Sequence, residues 1–346
     1  MKNILIGIMD SNIGGVNRFI LDYMEQHMEN KYIILSNAPI NEVYSFEMRN
    51  SIIEIIPSAL HPINLYKRTK DILRNIQIDS VYLNISTNLL YPILKAAADC
   101  GIRERIVHSH SSYSADVSFV KRSVIVAINM LLRKRVNKLA TVRKACSDKA
   151  ANWLFGKNSD YEFVYNRVNR QKFAFDIEKR QKYRRELALE SSFIIGFVGG
   201  FNYQKNISYF FDIAKRLRRV RNDFCIVMIG DGELKSAFET KLEHDDIRHH
   251  FRLVGAKANA NDYYNMFDCF VMPSRFEGLP IVGIEAQVNG LKCFFSDRIT
   301  TQVLITEEAE VFNLSGLKQL VKSISKLQIG NHIVTPKDEF KNFVMS

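Results

Sequence analysis

The sequence has 346 residues, of which 47% are hydrophobic and 25% charged, and its formal net charge is +11. This composition is that of a globular chain and excludes disorder as its general state, and the length predicts two domains. The charge is uneven, because residues 1–185 hold 29 Lys and Arg against 17 Asp and Glu, while the remainder is close to neutral. We therefore expect the first half to meet an anionic partner.

The five cysteines are far apart and none belongs to a CxxC pair. This spacing argues against disulfides and zinc and favours a reducing compartment. The first residues, MKNILIGIMD, contain too short an apolar segment for a signal peptide, and the apolar segment from Val124 to Leu132 is about half of the roughly 20 residues that a spanning helix needs. We expect a cytoplasmic chain that is soluble or peripheral on the inner face of the membrane.

The first predicted strand (residues 4–9) leads into a glycine turn at Gly14 and Gly15, and a helix begins at Val16. The turn lacks the GxGxxG order of a dinucleotide fingerprint, so a nicotinamide cofactor is not favoured. Its glycines would let a ligand approach the backbone closely. An ordinary tight turn before a helix is the alternative.

Further strands are predicted at residues 32–35, 52–56, 80–84 and 105–108, with helices at 62–75 and 91–100 between them. This alternation predicts a doubly wound parallel sheet, which binds ligands beyond the carboxyl ends of its strands. His108 and His110 follow one such strand. No third metal ligand is visible nearby, so we expect His110 to act as a hydrogen-bonding residue that faces the ligand.

A basic segment follows, with nine Lys and Arg and one acidic residue between Lys121 and Lys149. The apolar stretch VIVAINMLL lies inside it. A basic amphipathic helix is typical of a membrane-surface element, here predicted within residues 119–149 and attracted to anionic lipid. The alternative is a core helix with solvated basic ends.

A charged connection at residues 171–190 precedes a second series of elements, with strands at 194–198 and 225–229 and a helix at 207–220. We predict two Rossmann-like domains that face each other across a cleft, at residues 1–180 and 181–330, followed by a tail at 331–346. Lys205 lies between a glycine-ended strand and a helix, where a cation could meet a diphosphate.

The stretch DCFVMPSRFEGLPIVGIEAQVNG (268–290) predicts a strand, a loop and a helix that starts at Pro280. Proline suits the first helical position, and the amides of Gly278 and Leu279 would then face an anion at the positive end of the helix dipole. Glu277 and Glu285 flank the turn. The alternative is an ordinary strand, turn and helix with two surface glutamates.

Several motifs together resemble the retaining glycosyltransferases of family 4, which have the two-domain GT-B architecture. The segments that carry the resemblance are Gly14-Gly15-Val16, HSH (108–110), Cys146-Ser147 with residues 153–156, FVGGFNYQKN (197–206), IGDGEL (229–234), LVGAKANANDYYNMFDCFVMPSRFEGLPIVGIEAQVNG (253–290) and FFSDRIT (294–300). They cover most of the chain. The Glu277 and Glu285 pair, with seven residues between its members, is the most specific of them.

The resemblance implies a catalytic set of Glu277, Lys205 and His110, with Lys205 on the diphosphate and His110 on the transferred sugar. It assigns Glu285 to the ribose of a nucleotide-sugar donor, the amides of Gly278 and Leu279 to diphosphate or sugar oxygens, and Gly15 to a loop that closes over the diphosphate. Metal independence is implied as well, and the sequence lacks a DxD-like metal pair.

One departure concerns the leaving group. The family has Gly-Arg where this sequence has Gly199-Gly200. A missing charge-assisted contact costs about 1.5–3 kcal/mol, and Arg275 is the candidate replacement.

The function expected from this resemblance is transfer of a sugar, with a UDP-sugar as the expected donor, to a saccharide or lipid-linked saccharide acceptor in surface-polysaccharide biosynthesis. Two alternatives remain. One is a nucleotide-sugar 2-epimerase of the same fold, which would convert the donor alone. The other is a basic nucleic-acid-binding protein, although the basic segment lacks interleaved aromatic residues, and we expect no nucleic-acid partner.

Overall fold

The computed structural model of the protein describes residues 1–9, 15–39, 51–112, 119–330 and 332–345, without the side chains of residues 119–122. Gly14 therefore lies outside the described residues. The chain divides into two compact units, Met1–Val164 and Tyr165–Ser346. Each unit is described below by itself.

The first unit alternates strands and helices. Its described strands are β1 (Asn3–Met9), β2 (Lys31–Ser36), β3 (Ser51–Ile55), β4 (Ser80–Ile85), β5 (Glu104–Ser109), β6 (Val142–Ala145) and β7 (Glu162–Phe163). Its described helices are α1 (Gly15–Gln26), α2 (Pro62–Asn75), α3 (Tyr91–Asp99), α4 (Phe119–Leu139) and α5 (Asp148–Leu154), with a 3-10 turn at Asn88–Leu90. Local signals set several boundaries: Pro62 occupies the start of α2, and Ser147 caps α5 by accepting a hydrogen bond from the Ala150 amide at 3.1 Å.

These strands form a parallel sheet in the order β3-β2-β1-β4-β5-β6-β7. The order reverses direction between β1 and β4, so the chain crosses to the other side of the sheet there. A doubly wound sheet binds ligands at such a switch point. The carboxyl ends of β1, β4 and β5 are therefore where functional side chains of this unit should lie.

The second unit repeats the pattern. Its described strands are β8 (Val168–Asn169), β9 (Phe193–Val198), β10 (Phe224–Ile229), β11 (Phe251–Gly255), β12 (Cys269–Met272), β13 (Lys292–Ser296), β14 (Ala309–Phe312) and β15 (Val344–Met345). Its described helices are α6 (Arg170–Phe173), α7 (Ile177–Glu186), α8 (Tyr209–Leu217), α9 (Lys235–Glu243), α10 (Ala260–Tyr263), α11 (Ile281–Val288), α12 (Leu317–Ser325) and α13 (Phe340–Phe343), with 3-10 turns at Arg248–His250, Tyr264–Met266 and Thr301–Val303.

The main sheet of this unit is parallel, in the order β11-β10-β9-β12-β13-β14. Every residue of β9, β10 and β12 is buried, as expected for central strands covered by helices on both faces. A large share of the core is aromatic, and it includes Phe197, Phe201, Phe210 and Phe251. The predicted fold class, two Rossmann-like α/β domains with parallel sheets, is confirmed.

The division between the units falls before the boundary that we predicted at residue 180. The physical reason is a buried ion cluster that attaches α7 to the second unit. Arg180 donates from Nη2 to Asp268 Oδ1 at 2.5 Å, and Arg184 donates from Nη2 to Asp268 Oδ2 at 2.6 Å. All three side chains are almost fully buried. The charged connection is thus part of the second unit.

The predicted tail also packs on this unit. β15 pairs with β8, and Phe340 and Phe343 are buried. The His332 ring stacks on Phe175 with its centroid 4.0 Å away. Residues 332–345 therefore contribute to the structure of the second unit and are not a free extension.

Candidate donor site at the switch point of the second sheet

The loops after β9 and β12 lie side by side because these strands are neighbours at the point where the strand order of the second sheet reverses. Their register pairs Cys269 with Ile195 and Phe270 with Gly196. Both strands are parallel, so both loops leave at the same edge. The loop after β9 carries Lys205, and the loop after β12 carries Glu277. The topology therefore brings together two residues that are far apart in the sequence.

Lys205 and Glu277 form an ion pair with 2.8 Å between Nζ and Oε1. The Gln204 side-chain amide donates to the other carboxylate oxygen, Oε2, at 2.9 Å. The Lys205 and Glu277 side chains are 15% and 7% exposed, so the pair is shielded from bulk water. An ammonium group has three N–H donors, and among the described residues Lys205 uses one of them, on Glu277. Lys205 can therefore keep this bond and still donate to an anion.

Two hydrogen bonds to backbone carbonyls fix the two loops to each other. The Arg275 amide donates to the Gln204 carbonyl at 2.8 Å, and the Asn206 side chain donates to the Pro273 carbonyl at 3.0 Å. The Lys205 amide is held by Asn202 Oδ1 at 3.0 Å. The cation and the carboxylate are thus pre-positioned by their own loops, which lowers the cost of ordering them around a ligand.

Helix α11 begins at Ile281, one residue later than predicted. Pro280 is its N-cap, with extended backbone angles (φ −75°, ψ 108°), and not its first helical residue. The expected consequence for the backbone holds all the same. Within the described part of the chain, the amides of Gly278, Leu279, Ile281 and Val282 donate no hydrogen bond. The four amides lie within five consecutive residues at the positive end of the helix, and Gly278 and Leu279 are buried. They therefore form a set of hydrogen-bond donors that an anion could use.

Glu285 lies on α11 and is half-buried. The hydroxyl of Tyr264 donates to its Oε2 at 2.7 Å. Tyr264 itself is fully buried. Burial and the Glu285 charge raise the pKa of Tyr264 well above its ordinary value, so the phenol remains a proton donor.

Arg275 is exposed and stacks on Tyr203, with its guanidinium carbon 4.6 Å from the ring centroid. This arrangement is a cation–π contact that holds the charge near the loop after β9. Gly200, where the family has arginine, is in the same loop. A Cβ atom there would lie 3.2 Å from Asn202 Nδ2 and 3.8 Å from the Asp231 carbonyl. The Gly200 backbone thus leaves space for a side chain with a small adjustment of Asn202.

His110 lies in the first unit, directly after β5. Its Nε2 is 2.8 Å from Asn84 Oδ1 at the end of β4, and its ring packs on Phe19 with 4.8 Å between centroids. Burial lowers the pKa of His110 to about 3, so the ring is neutral at physiological pH. Since Nε2 donates to Asn84, Nδ1 is the acceptor of this tautomer. Such an atom can accept a hydrogen bond from a hydroxyl group.

His108 is fully buried beside His110, with 3.9 Å between the ring centroids. Tyr82 donates from its hydroxyl to His108 Nδ1 at 3.1 Å. Burial lowers the pKa of His108 well below its ordinary value. His108 is therefore a core residue that supports the ring of His110.

The structure places Gly15 at the first position of α1, where it is exposed.

Gln204 and Tyr264 also belong to this site, and the sequence did not indicate either of them. Gln204 adjoins Lys205, but an amide before a lysine carries no signal of its own. Tyr264 lies in a 3-10 turn before β12, and nothing in the spacing links it to Glu285. Among the described residues, no group of three or more His, Cys, Asp or Glu side chains could hold a metal ion.

The protein has two units, each built on a parallel sheet. In the second unit, the two loops at the switch point present groups that could bind an anion. These features define the GT-B class of fold. Two solved structures have the same fold. The protein HepE from Anabaena, crystallised in complex with UDP-glucose, superposes with a TM-score of 0.77 over 94% of this chain and 89% of HepE, at 14% identity. Sucrose-phosphate synthase from Thermosynechococcus elongatus gives a TM-score of 0.73 over 94% of this chain and 89% of that one, at 15% identity. At such identities the likeness shows the fold alone.

In the sequence comparisons, residues 179–328 match the model of the family "Glycosyl transferases group 1", so this part of the chain is similar to the domain of those enzymes. A putative glycosyltransferase of Bacillus subtilis, EpsF, is 31% identical over 61% of this chain, and the match spans 56% of EpsF, little more than half its length. A UDP-Gal:alpha-D-GlcNAc-diphosphoundecaprenol alpha-1,3-galactosyltransferase of Escherichia coli is 27% identical over 87% of this chain and 80% of that protein. The predicted resemblance to glycosyltransferases is confirmed for a group 1 glycosyltransferase domain and for the GT-B fold.

Proposed function

We propose that this protein is a retaining glycosyltransferase that moves a sugar from a UDP-sugar to a saccharide or lipid-linked saccharide acceptor during surface-polysaccharide biosynthesis. The observation that carries the proposal is the placement of Lys205, Glu277 and the amides around the start of α11 on two adjacent loops of one switch point, where these amides have no acceptor among the described residues. The match of residues 179–328 to the glycosyl transferases group 1 model supports the class of reaction. The Escherichia coli relative, whose name specifies UDP-Gal and a diphosphoundecaprenol-linked sugar, supports the donor and the acceptor.

In this proposal the diphosphate of the donor binds to the amides of Gly278, Leu279 and the first turn of α11. Lys205 donates to the same phosphates with the N–H groups that Glu277 does not take. Glu277 keeps Lys205 in place and lies near the donor sugar. Glu285 accepts hydrogen bonds from the ribose hydroxyls. Of the first unit, we assign His110 to the transferred sugar, through Nδ1, and Gly15 to the diphosphate.

The barrier to the reaction is expulsion of the diphosphate while positive charge develops at the anomeric carbon. The protein must therefore stabilise negative charge that grows on the leaving group, and amides and an ammonium that are already in place do so without reorganisation. A phosphate oxygen of the leaving group can take the proton of the acceptor hydroxyl on the same face of the sugar, which gives retention without a protein base. We propose that these donors suffice without a metal ion.

The test combines the purified protein with UDP-galactose or UDP-glucose and a diphosphoundecaprenol-linked saccharide. We expect transfer to the acceptor with retained anomeric configuration, and turnover that EDTA leaves unchanged. Conversion of the donor sugar to its 2-epimer without acceptor would instead identify an epimerase. A reaction that stops with EDTA and returns with Mg²⁺ would contradict metal independence.

Glu285→Ala provides the matching binding test. We expect the dissociation constant for UDP, measured by calorimetry, to rise about tenfold or more, because two hydroxyls lose a charged acceptor. Glu310→Ala is the control, since Glu310 is an exposed carboxylate of the same unit that pairs with Lys292. Unchanged UDP affinity in Glu285→Ala would remove Glu285 from the donor site.

We also propose that Arg275 replaces the arginine that the family has at Gly200. Arg275→Ala should lower kcat about tenfold, since it removes one charge-assisted contact to the leaving group. Gly200→Arg should restore much of this loss in the Arg275→Ala background, because the backbone at Gly200 leaves space for a side chain. Steady-state kinetics of the two single variants and the double variant measure this exchange. A double variant no better than Arg275→Ala would contradict it.

The final part of the proposal is contact of α4 with an anionic membrane. The structure limits this helix to Phe119–Leu139, shorter than the predicted element, because residues 142–145 form β6. Val124 and Leu131 are 53% and 77% exposed, and the cations Lys134, Arg135 and Lys138 are exposed one to two turns further on. Arg133, by contrast, donates to the Trp153 carbonyl at 3.0 Å and has a structural role. Within the described part of the chain, none of the helices combines the length and apolar character needed to cross a bilayer.

Lys134→Gln, Arg135→Gln and Lys138→Gln together should release the protein from vesicles that contain phosphatidylglycerol, because each cation near an anionic surface contributes about 1 kcal/mol. The matched control is Lys318→Gln, Lys322→Gln and Lys326→Gln, an equal charge change at exposed positions of α12 and its C-cap. Flotation in sucrose gradients measures binding. Equal release by both triple variants would mean that net charge, and not α4, determines attachment.

A further inference from the structure

Tyr264 donates a hydrogen bond to Glu285, and the proposed reaction gives Tyr264 no role. It is 0% exposed, yet its hydroxyl reaches α11, where it donates to Glu285 Oε2 at 2.7 Å. A second, longer contact joins the same hydroxyl to the Val282 carbonyl at 3.4 Å. Val282 and Glu285 are on successive turns of the same helix face. The phenol thus contacts the helix at the position from which the carboxylate projects.

The ring of Tyr264 is rigidly held. It packs edge-on against Phe173 and Phe267, with centroids 5.9 and 6.0 Å away, and at an angle of 47° against Phe270, also at 6.0 Å. Phe270 belongs to β12 and is fully buried. Because three aromatic neighbours hold the ring, the oxygen of its hydroxyl group has one fixed position. The bond to Glu285 therefore constrains the carboxylate, while a carboxylate in contact with solvent alone would sample several rotamers.

The placement matters because Glu285 is only half-buried, whereas its partner is fully buried. A ligand can reach the carboxylate but not the phenol. Since burial and the nearby carboxylate keep the phenol protonated, Tyr264 acts here only as a donor. The buried Tyr264 hydroxyl thus orients Oε2 of Glu285, while the carboxylate as a whole stays accessible to a ligand on the solvent side.

We propose that Tyr264 is a positioning residue that orients Glu285 for the ribose hydroxyls of the donor, and so sets the preference of the site for a ribonucleotide. This inference rests on the proposed role of Glu285. It predicts an effect that depends on the hydroxyls of the ligand. If Tyr264 had only a structural role, its replacement would weaken the binding of all nucleotides by the same factor.

The experiment compares UDP with 2′,3′-dideoxy-UDP by calorimetry. Wild-type protein should bind UDP at least tenfold more tightly. Tyr264→Phe removes only the hydroxyl and should weaken UDP binding about fivefold to tenfold while the affinity for dideoxy-UDP stays the same. Tyr263→Phe is the control, because it makes the same chemical change in a neighbouring buried ring that packs on Tyr183 at 4.4 Å. It should change neither affinity.

Glu285→Ala separates the failure of this inference from the failure of the proposed donor site. Loss of the preference for UDP in Glu285→Ala, with the preference retained in Tyr264→Phe, overturns only the role of Tyr264. A preference retained in Glu285→Ala, or absent in the wild type, overturns the donor-site assignment and the inference together. Equal weakening of both ligands in Tyr264→Phe shows a structural role and also overturns the inference.

A second readout does not depend on the stability of Tyr264→Phe. With 3-fluorotyrosine introduced at position 264, the fluorine resonance should shift when UDP is added and should stay in place with dideoxy-UDP. The same label in the Glu285→Ala background should respond to neither. Equal shifts with the two nucleotides would contradict the inference.

Discussion

Lys205→Ala is expected to lower kcat by about 100-fold to 1,000-fold, the loss typical of removing one pre-positioned donor from developing negative charge. The Lys205 ammonium pairs with Glu277, and the loops that carry these two residues are hydrogen-bonded to each other. The position of the ammonium is therefore fixed before the donor binds. KM for the donor should change much less than kcat, because the charge on the leaving group is largest in the transition state. Steady-state kinetics with a UDP-sugar and a saccharide acceptor measure both parameters.

Loss of Lys205 also leaves Glu277 without its cation, so folding must be checked by thermal unfolding. The matched control is Lys215→Ala, which removes the ion pair between Lys215 on α8, whose side chain is 46% exposed, and Asp245, with 2.6 Å between Nζ and Oδ2. The control should retain its turnover. A folded Lys205→Ala protein with wild-type kcat would exclude Lys205 from leaving-group stabilisation.

Asp268→Asn should lower the free energy of unfolding by about 3–5 kcal/mol, as expected when one partner of a buried ion cluster is removed. Asp268 accepts hydrogen bonds from Arg180, Arg184 and the Ile194 amide, and its side chain is 0% exposed. The substitution keeps the shape but leaves two buried guanidinium groups without a counter-charge. Urea unfolding of the full chain, followed by far-UV circular dichroism, measures the change.

Asp246→Asn is the comparison for this effect. Asp246 also pairs with an arginine, Arg218, but its side chain is 67% exposed, and surface pairs contribute about 0–1 kcal/mol. The two variants therefore make the same chemical change in buried and exposed surroundings. Equal losses of stability would show that the cluster at Asp268 is not what holds α7 on the second unit.

The sequence by itself determined the fold class and most of the elements. Central parallel strands are covered on both faces, so they appear as short apolar runs that end in glycine, proline or polar residues. The predicted strand at residues 194–198 is β9, and the helix predicted at Pro62 to Asn75 is α2, with the same ends. The motif at 273–285 was specific enough to indicate the family. All of these features are local in the chain.

The tertiary structure decided which side chains meet and which of them belong to the fold alone. Lys205 joins Glu277 only because β9 and β12 are neighbours, and Tyr264 joins Glu285 only because the turn before β12 contacts α11. No local spacing encodes these pairs, since strand order depends on the packing of the whole sheet. For the same reason the charged helix α7 could not be assigned to the second unit from its composition. Its arginines are anchored by a carboxylate more than 80 residues further along the chain.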